Sequence, residues 1–104
     1  MCAVTAVPPL IQAARAREHL DDPGWVFVDC RFTLGDPAAG HAAFAAGHIP
    51  GAVHLDLERD LSGPVGPGTG RHPLPDPNAL ADALSRAGIG DGHTVVCHDD
   101  AGGA

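Results

Sequence analysis

The chain contains no lysine and no tyrosine, and its six basic residues, all arginine, face thirteen acids. The resulting formal net charge of −7 argues against nucleic acid and anionic membrane surfaces as partners, because both repel an acidic protein. A small anionic substrate is still admissible, since one local arginine outweighs distant charge. Cysteine is scarce and dispersed: Cys2, Cys30 and Cys97, with no Cys-x-x-Cys pair. An odd, scattered set reads as reduced thiols in the cytoplasm and not as a disulfide framework. No apolar run reaches the roughly 20 residues needed to span a bilayer. The first residues lack the basic-then-apolar order of a secretory signal. Aromatic residues make up only 4%, so Val, Leu, Ile and Ala must fill the core.

What is present bounds the answer further. With 104 residues, 44% of them hydrophobic, the chain is one domain at most, with little margin for a core. Fourteen Gly and ten Pro predict long loops. Pro8 and Pro9 precede a predicted helix over residues 10–20, which Asp21, Asp22, Pro23 and Gly24 end. Residues 25–30 form a continuous apolar run, read as a buried strand. Gly35, Asp36 and Pro37 predict a turn. Residues 38–46 predict a short helix, with Gly47 expected to stop it in a left-handed conformation. A second strand is predicted over 53–57. The Gly- and Pro-rich stretch 58–75 reads as a long surface loop.

Asp76 then caps a helix with Pro77 in its first turn. Leu80, Ala83, Leu84 and Ala87 recur at helical spacing, and Gly88 follows. Residues 94–98 give a third apolar strand. Helix and strand alternate, which predicts an α/β fold with a parallel sheet flanked by helices. Sites in such sheets collect beyond the carboxyl ends of the strands. Asp29 and Asp99 both stand at such ends.

Two signals carry chemistry. The first is Asp29 and Arg31, two residues apart at a strand end. Arg31 is a candidate contact for an anionic substrate, weighed against a structural tie to the next helix. The second is 97–103, where a strand runs into a Gly-containing loop. Successive N–H groups in such a loop can cradle an anion. Metal binding is not expected, because His41, His48 and His54 lie seven and six apart and no cysteine pair accompanies them. Asp99 and Asp100 weakly suggest a magnesium or phosphoryl pocket, but no phosphate-binding lysine exists. No cofactor is expected.

Asp29-x-Arg31 at a strand end, then a helix, then Gly47-His48-Ile49-Pro50-Gly51-Ala52, resembles the rhodanese family of sulfurtransferases. The resemblance extends over 26–104 and includes Gly70-Arg71-His72-Pro73-Leu74-Pro75, Gly88-Ile89-Gly90 and residues 95–104. It implies sulfane sulfur transfer: a loop cysteine takes sulfur from a donor as a persulfide and passes it on, its thiolate being the nucleophile. Here Asp99 resembles the occupant of that cysteine's position. Cys97 comes two residues early, where a small buried core residue is expected. The loop has no arginine, unlike the Cys-x5-Arg cradle of related phosphatases.

An Asp in this place is similar to the non-catalytic N-terminal domain of tandem thiosulfate and 3-mercaptopyruvate sulfurtransferases. By that resemblance residues 1–104 are the N-terminal part of one rhodanese-like domain, incomplete at the C-terminus. The expected partners are a second rhodanese domain with the catalytic cysteine, on the same longer chain, and a small anionic sulfur donor. Gly47, His48, Ile49, Pro50, Gly51 and Ala52 are expected to shape the fold more than to catalyse. The alternatives are a stand-alone rhodanese-like regulatory module without activity, and an active single domain using Cys97.

Overall fold

The computed structural model describes residues 10–36 and 38–100. Among these residues six elements alternate: α1 (Ala13–Arg17), β1 (Trp25–Asp29), α2 (Ala39–Ala46), β2 (Val53–His54), α3 (Pro77–Arg86) and β3 (Thr94–His98). The strands form one parallel sheet in the order β2-β1-β3. The α/β fold with a parallel sheet and flanking helices is thus the one the sequence predicts.

The central strand β1 is apolar up to Asp29, as suits a strand with neighbours on both sides. Phe27, Val28 and Asp29 are all buried, although successive side chains leave opposite faces, so both faces of its carboxyl half are covered. It pairs with β3 over five residues, from Trp25↔Thr94 to Asp29↔His98. With β2 it shares only Val28↔Val53 and Asp29↔His54. The three strands therefore end level with one another, and His54, Asp29 and His98 form one row across the sheet.

α3 follows its sequence signals closely. The Asp76 carboxylate accepts the N–H groups of Asn78 and Ala79 at 3.0 and 3.3 Å, Pro77 occupies the first turn, and Arg86 lies in the last. Leu80, Ala83, Leu84 and Ala87 all turn away from solvent.

Three expectations need correction. The helix predicted over 10–20 shrinks to Ala13–Arg17, has no side-chain cap and buries nothing. A helix this short is marginal without a packed face, and the chain leaves it through three-residue turns, His19 N–H to Ala16 and Leu20 N–H to Arg17. The strand predicted over 53–57 is only Val53–His54. Leu55 N–H still reaches the Asp29 carbonyl at 3.1 Å, but the buried Asp56 carboxylate accepts the N–H groups of Glu58 and Arg59 at 3.0 and 2.7 Å and turns the chain. Gly47 is extended, at φ 177°, and not left-handed. The helix predictions involving Pro8 and Pro9, and the Pro37 position of the turn, lie outside the described residues.

Stretch 58–75 contains no helix or strand, as predicted, and is pinned by Gly63 N–H to the Pro73 carbonyl at 2.9 Å. The buried apolar residues are few: Phe27, Val28, Ala52, Leu55 and Ala83. The radius of gyration is 14.9 Å, against about 13 Å for a compact chain of this length. Packing is correspondingly thin away from β1.

Candidate functional site at the carboxyl ends of the strands

The best-ordered polar structure lies at the end of β1. The Asp29 side chain is fully buried and receives a fork of hydrogen bonds from Arg31. Arg31 Nε lies 3.0 Å from both carboxylate oxygens and Nη2 lies 2.6 Å from Oδ2. The Arg31 backbone N–H adds a fourth bond at 3.0 Å. Burial pushes the Asp29 carboxyl up, but the Arg31 bonds and charge outweigh it and hold the group below its ordinary 3.8. His98 adds to that lowering. Bidentate geometry of this kind is the strongest form such a pair takes.

Arg31 also joins the strand end to α2. Its Nη2 donates to the Gly47 carbonyl at 2.8 Å, one of the carbonyls that a helix end leaves without an internal partner. His48 closes the same end: its Nδ1 lies 2.7 Å from the Phe44 carbonyl, and its ring stacks on Phe44 at 3.8 Å. Near its other end α2 approaches β1 so closely that a Cβ on Gly40 would sit 2.1 Å from the Arg31 carbonyl oxygen. Next comes a tight turn, Ala52 N–H to the Ile49 carbonyl at 2.9 Å. Pro50 occupies its second position and Gly51, at φ 78°, its third, the pairing that a type II turn requires. Gly47, His48, Ile49, Pro50, Gly51 and Ala52 therefore build the passage from α2 to β2, and Ala52 is buried at its end.

The end of β3 is different. Val95 and Cys97 are exposed while Val96 and His98 are partly covered. Cys97 was expected in the core; it is instead exposed, in a strand that lies at the edge of the sheet among the described residues. His98 Nε2 is buried without a hydrogen-bond partner among the described residues. Asp99 and Asp100 follow, both exposed. Positions 101–103, where the anion cradle was sought, lie outside the described residues.

The sequence reading missed one juxtaposition. Cys30, just past β1, and Cys97, in β3, lie near enough for the Cys97 thiol to bear on Cys30. Burial, the neighbouring Cys97 thiol and then the charges of Asp29 and Asp99 push the Cys30 thiol up to about 12. Nothing in the spacing of the cysteines signals this, because it depends on the register of two strands more than sixty residues apart.

Two grooves flank the sheet. One, of about 620 Å³, runs along β3 between α1 and Ile49–Pro50 and reaches Cys97 and His98. The other lies between α2, β2 and α3 and takes in His41, His54, Asp56, Arg59 and Arg86. The rings of His41 and His54 are 6.1 Å apart. Among the described residues no three His, Cys, Asp or Glu side chains are placed to share a metal ion, and no helix is long and apolar enough to cross a membrane. Chemically, the strand ends offer buried, mutually satisfied charge at β1, and exposed acids with a thiol pair at β3.

The sequence pattern of the rhodanese-like domain matches residues 12–104. A Pseudomonas aeruginosa protein described as a probable 3-mercaptopyruvate sulfurtransferase is 48% identical over 96 residues, covering 91% of this chain and 34% of that protein. A putative thiosulfate sulfurtransferase of Mycobacterium tuberculosis is 45% identical over 73 residues, covering 70% of this chain and 25% of its own length. Among solved structures, 3-mercaptopyruvate sulfurtransferase from Leishmania major superposes with a TM-score of 0.77 at 30% identity, over 86% of this chain and 24% of that one. The chain thus spans a quarter to a third of the length of these relatives.

Proposed function

The chain belongs to the rhodanese family, and on that premise we propose that it is the N-terminal, non-catalytic part of a two-domain sulfurtransferase. The whole protein moves sulfane sulfur from thiosulfate or 3-mercaptopyruvate to a thiophilic acceptor, cyanide or a thiol. This part walls the active site, and a second rhodanese domain on the same longer chain supplies the catalytic cysteine. The reduced, unpaired cysteines favour a cytoplasmic setting.

The observation that carries the reading is Asp99 at the strand-to-loop junction directly after β3. A carboxylate cannot accept sulfane sulfur as a persulfide, since that requires a thiolate. Asp99 and the adjacent Asp100 also repel an anionic donor. Arg31 directs Nε and Nη2 inward to Asp29 and Gly47, which makes it a positioning group for α2. Two further observations support an incomplete unit. The relatives are three to four times longer than the stretch matched. The buried Nε2 of His98 lacks a partner among the described residues, a cost of about 1–3 kcal/mol unless something meets it.

The test compares sulfur transfer to cyanide, with thiosulfate and with 3-mercaptopyruvate, by the 104-residue chain and by the longer protein in its source cell. The expected outcome is turnover by the longer protein only. Turnover by the 104-residue chain that Cys97→Ser abolishes would replace this reading with an active single domain. A native mass near 10.5 kDa, with no turnover and a specific protein partner, would replace it with a stand-alone regulatory module.

A further inference from the structure

We propose that Leu34 and Leu74 are the apolar anchors on which the second domain of the longer protein docks, so that its active site closes against this end of the sheet. The inference rests on the reading that such a domain exists, and adds where it sits. Leu74 is 92% exposed and Leu34 61%. A single exposed leucine is ordinary. These two are held outward by backbone that is bonded on its other side.

Leu34 occupies the second position of the turn from Thr33 to Asp36. Asp36 N–H donates to the Thr33 carbonyl at 3.1 Å, and Gly35 takes φ 87° in third place, as a type II turn requires. The tip thus carries a large apolar side chain where turns ordinarily carry polar ones. Leu74 stands between Pro73 and Pro75. Each proline fixes its own φ, and Pro75 disfavours the helical conformation for Leu74. The Pro73 carbonyl accepts Gly63 N–H at 2.9 Å, and a Cβ on Gly63 would stand 2.8 Å from the Leu74 carbonyl oxygen. The backbone at Leu74 is therefore packed from within while its side chain stays in solvent. Side chains presented on fixed backbone lose little further freedom when a partner covers them.

The two leucines belong to one surface. The Phe32 and His72 rings meet edge to face, 5.6 Å between centroids, and each leucine follows its ring residue by two positions. Two residues span at most about 7 Å of chain, so both leucines fall within a patch the size of the roughly 800 Å² that one partner gives to a standard interface. Phe32 comes three residues after Asp29, the last residue of β1. The surface therefore adjoins the end of the sheet that the sulfurtransferase reading makes a wall of the active site. A wall at this end requires the other half of the site to press on it, and exposed apolar groups among polar ones mark such contacts. The length of the relatives leaves chain for that half, since the matched stretch is 34% and 25% of them.

The test places Leu34→Cys or Leu74→Cys in the longer protein and follows alkylation by iodoacetamide, read peptide by peptide by mass spectrometry. Each new cysteine is expected to label at least about 10-fold more slowly in the native protein than in the same protein unfolded in urea, because labelling then waits for the domains to part. The slowing should not change on dilution. If a substituted protein loses sulfur transfer, hydroxyl-radical oxidation of Leu34 and Leu74 in the unsubstituted protein reads the same burial, with the same protection expected. Modification at the unfolded rate, in a longer protein that still transfers sulfur, would overturn the docking surface and leave the two-domain reading standing. Protection that fades on dilution would give the surface to a second copy of the protein and overturn the proposal too. A native mass near 10.5 kDa would overturn both.

Discussion

β1 and β3 end level in the same sheet, yet their ends are finished in opposite ways. At β1 the Asp29 carboxylate is fully buried and takes four hydrogen bonds, all from Arg31. Arg31 in turn holds the last carbonyl region of α2 through Gly47. At β3, one residue away across the register, Val95 and Cys97 face solvent and His98 Nε2 is buried without a partner among the described residues. The difference follows from position in the sheet. β1 has a strand on each side and a helix anchored to its end, so burying charge there is repaid by complete hydrogen bonding. β3 has one strand neighbour among the described residues, so its apolar side chains and its end are left less covered. A closed junction and an open edge side by side are what the proposed larger unit would leave when only its first part is present.

The sharpest way to break this contrast is at the closed side. Asp29→Ala leaves the Arg31 fork and backbone N–H without their acceptor and should cost about 3 kcal/mol, read from urea unfolding of the chain. The pH dependence follows the same group. Its folded-state value lies below 3.8, so its stabilisation is complete above that value and is lost as pH falls through the lower folded value. Asp29→Asn should remove this acid-sensitive part of the stability profile and leave its shape near neutrality unchanged. Gly40→Ala should be next, at about 2 kcal/mol, because a Cβ 2.1 Å from the Arg31 carbonyl oxygen pushes α2 off the strand end. If it proves neutral, α2 is not held against β1 as described.

The smallest effect is expected on the open side. Val95 is 41% exposed, so Val95→Thr should change the stability of this chain by no more than about 0.5 kcal/mol. In the longer protein the same change should cost about 1–2 kcal/mol, because a hydroxyl is then buried. Equal effects in both would mean that nothing covers β3, and the contrast between the two strand ends would lose its explanation.

Much of this arrangement is legible in the chain of residues, where local chemistry alone decides it. Asp76 followed by Pro77, with Leu80, Ala83, Leu84 and Ala87 at helical spacing, predicts α3 because a cap and a periodic face need no distant partner. The apolar runs ending at Asp29 and His98 predict β1 and β3 for the same reason. Pro50-Gly51 predicts its turn, since Gly51 is the residue that takes a positive φ at low cost. Elsewhere local signals mislead. Residues 53–57 read as a strand, but the Asp56 carboxylate captures the following N–H groups and ends pairing after His54. Residues 10–20 read as a helix, but without a face to bury only Ala13–Arg17 remains helical.

By itself, then, the sequence determined the α/β class, the capped helix, the tight turn before β2 and the carboxylate at the end of β3, all of them consequences of residue type and short spacing. The tertiary structure alone decided that Cys97 is exposed, that it lies near Cys30, and that Arg31 is committed to Asp29 and Gly47. Each of these depends on strand register and on which strand lies at the edge. Those are set by the summed packing of residues far apart in the chain, and no local pattern encodes them.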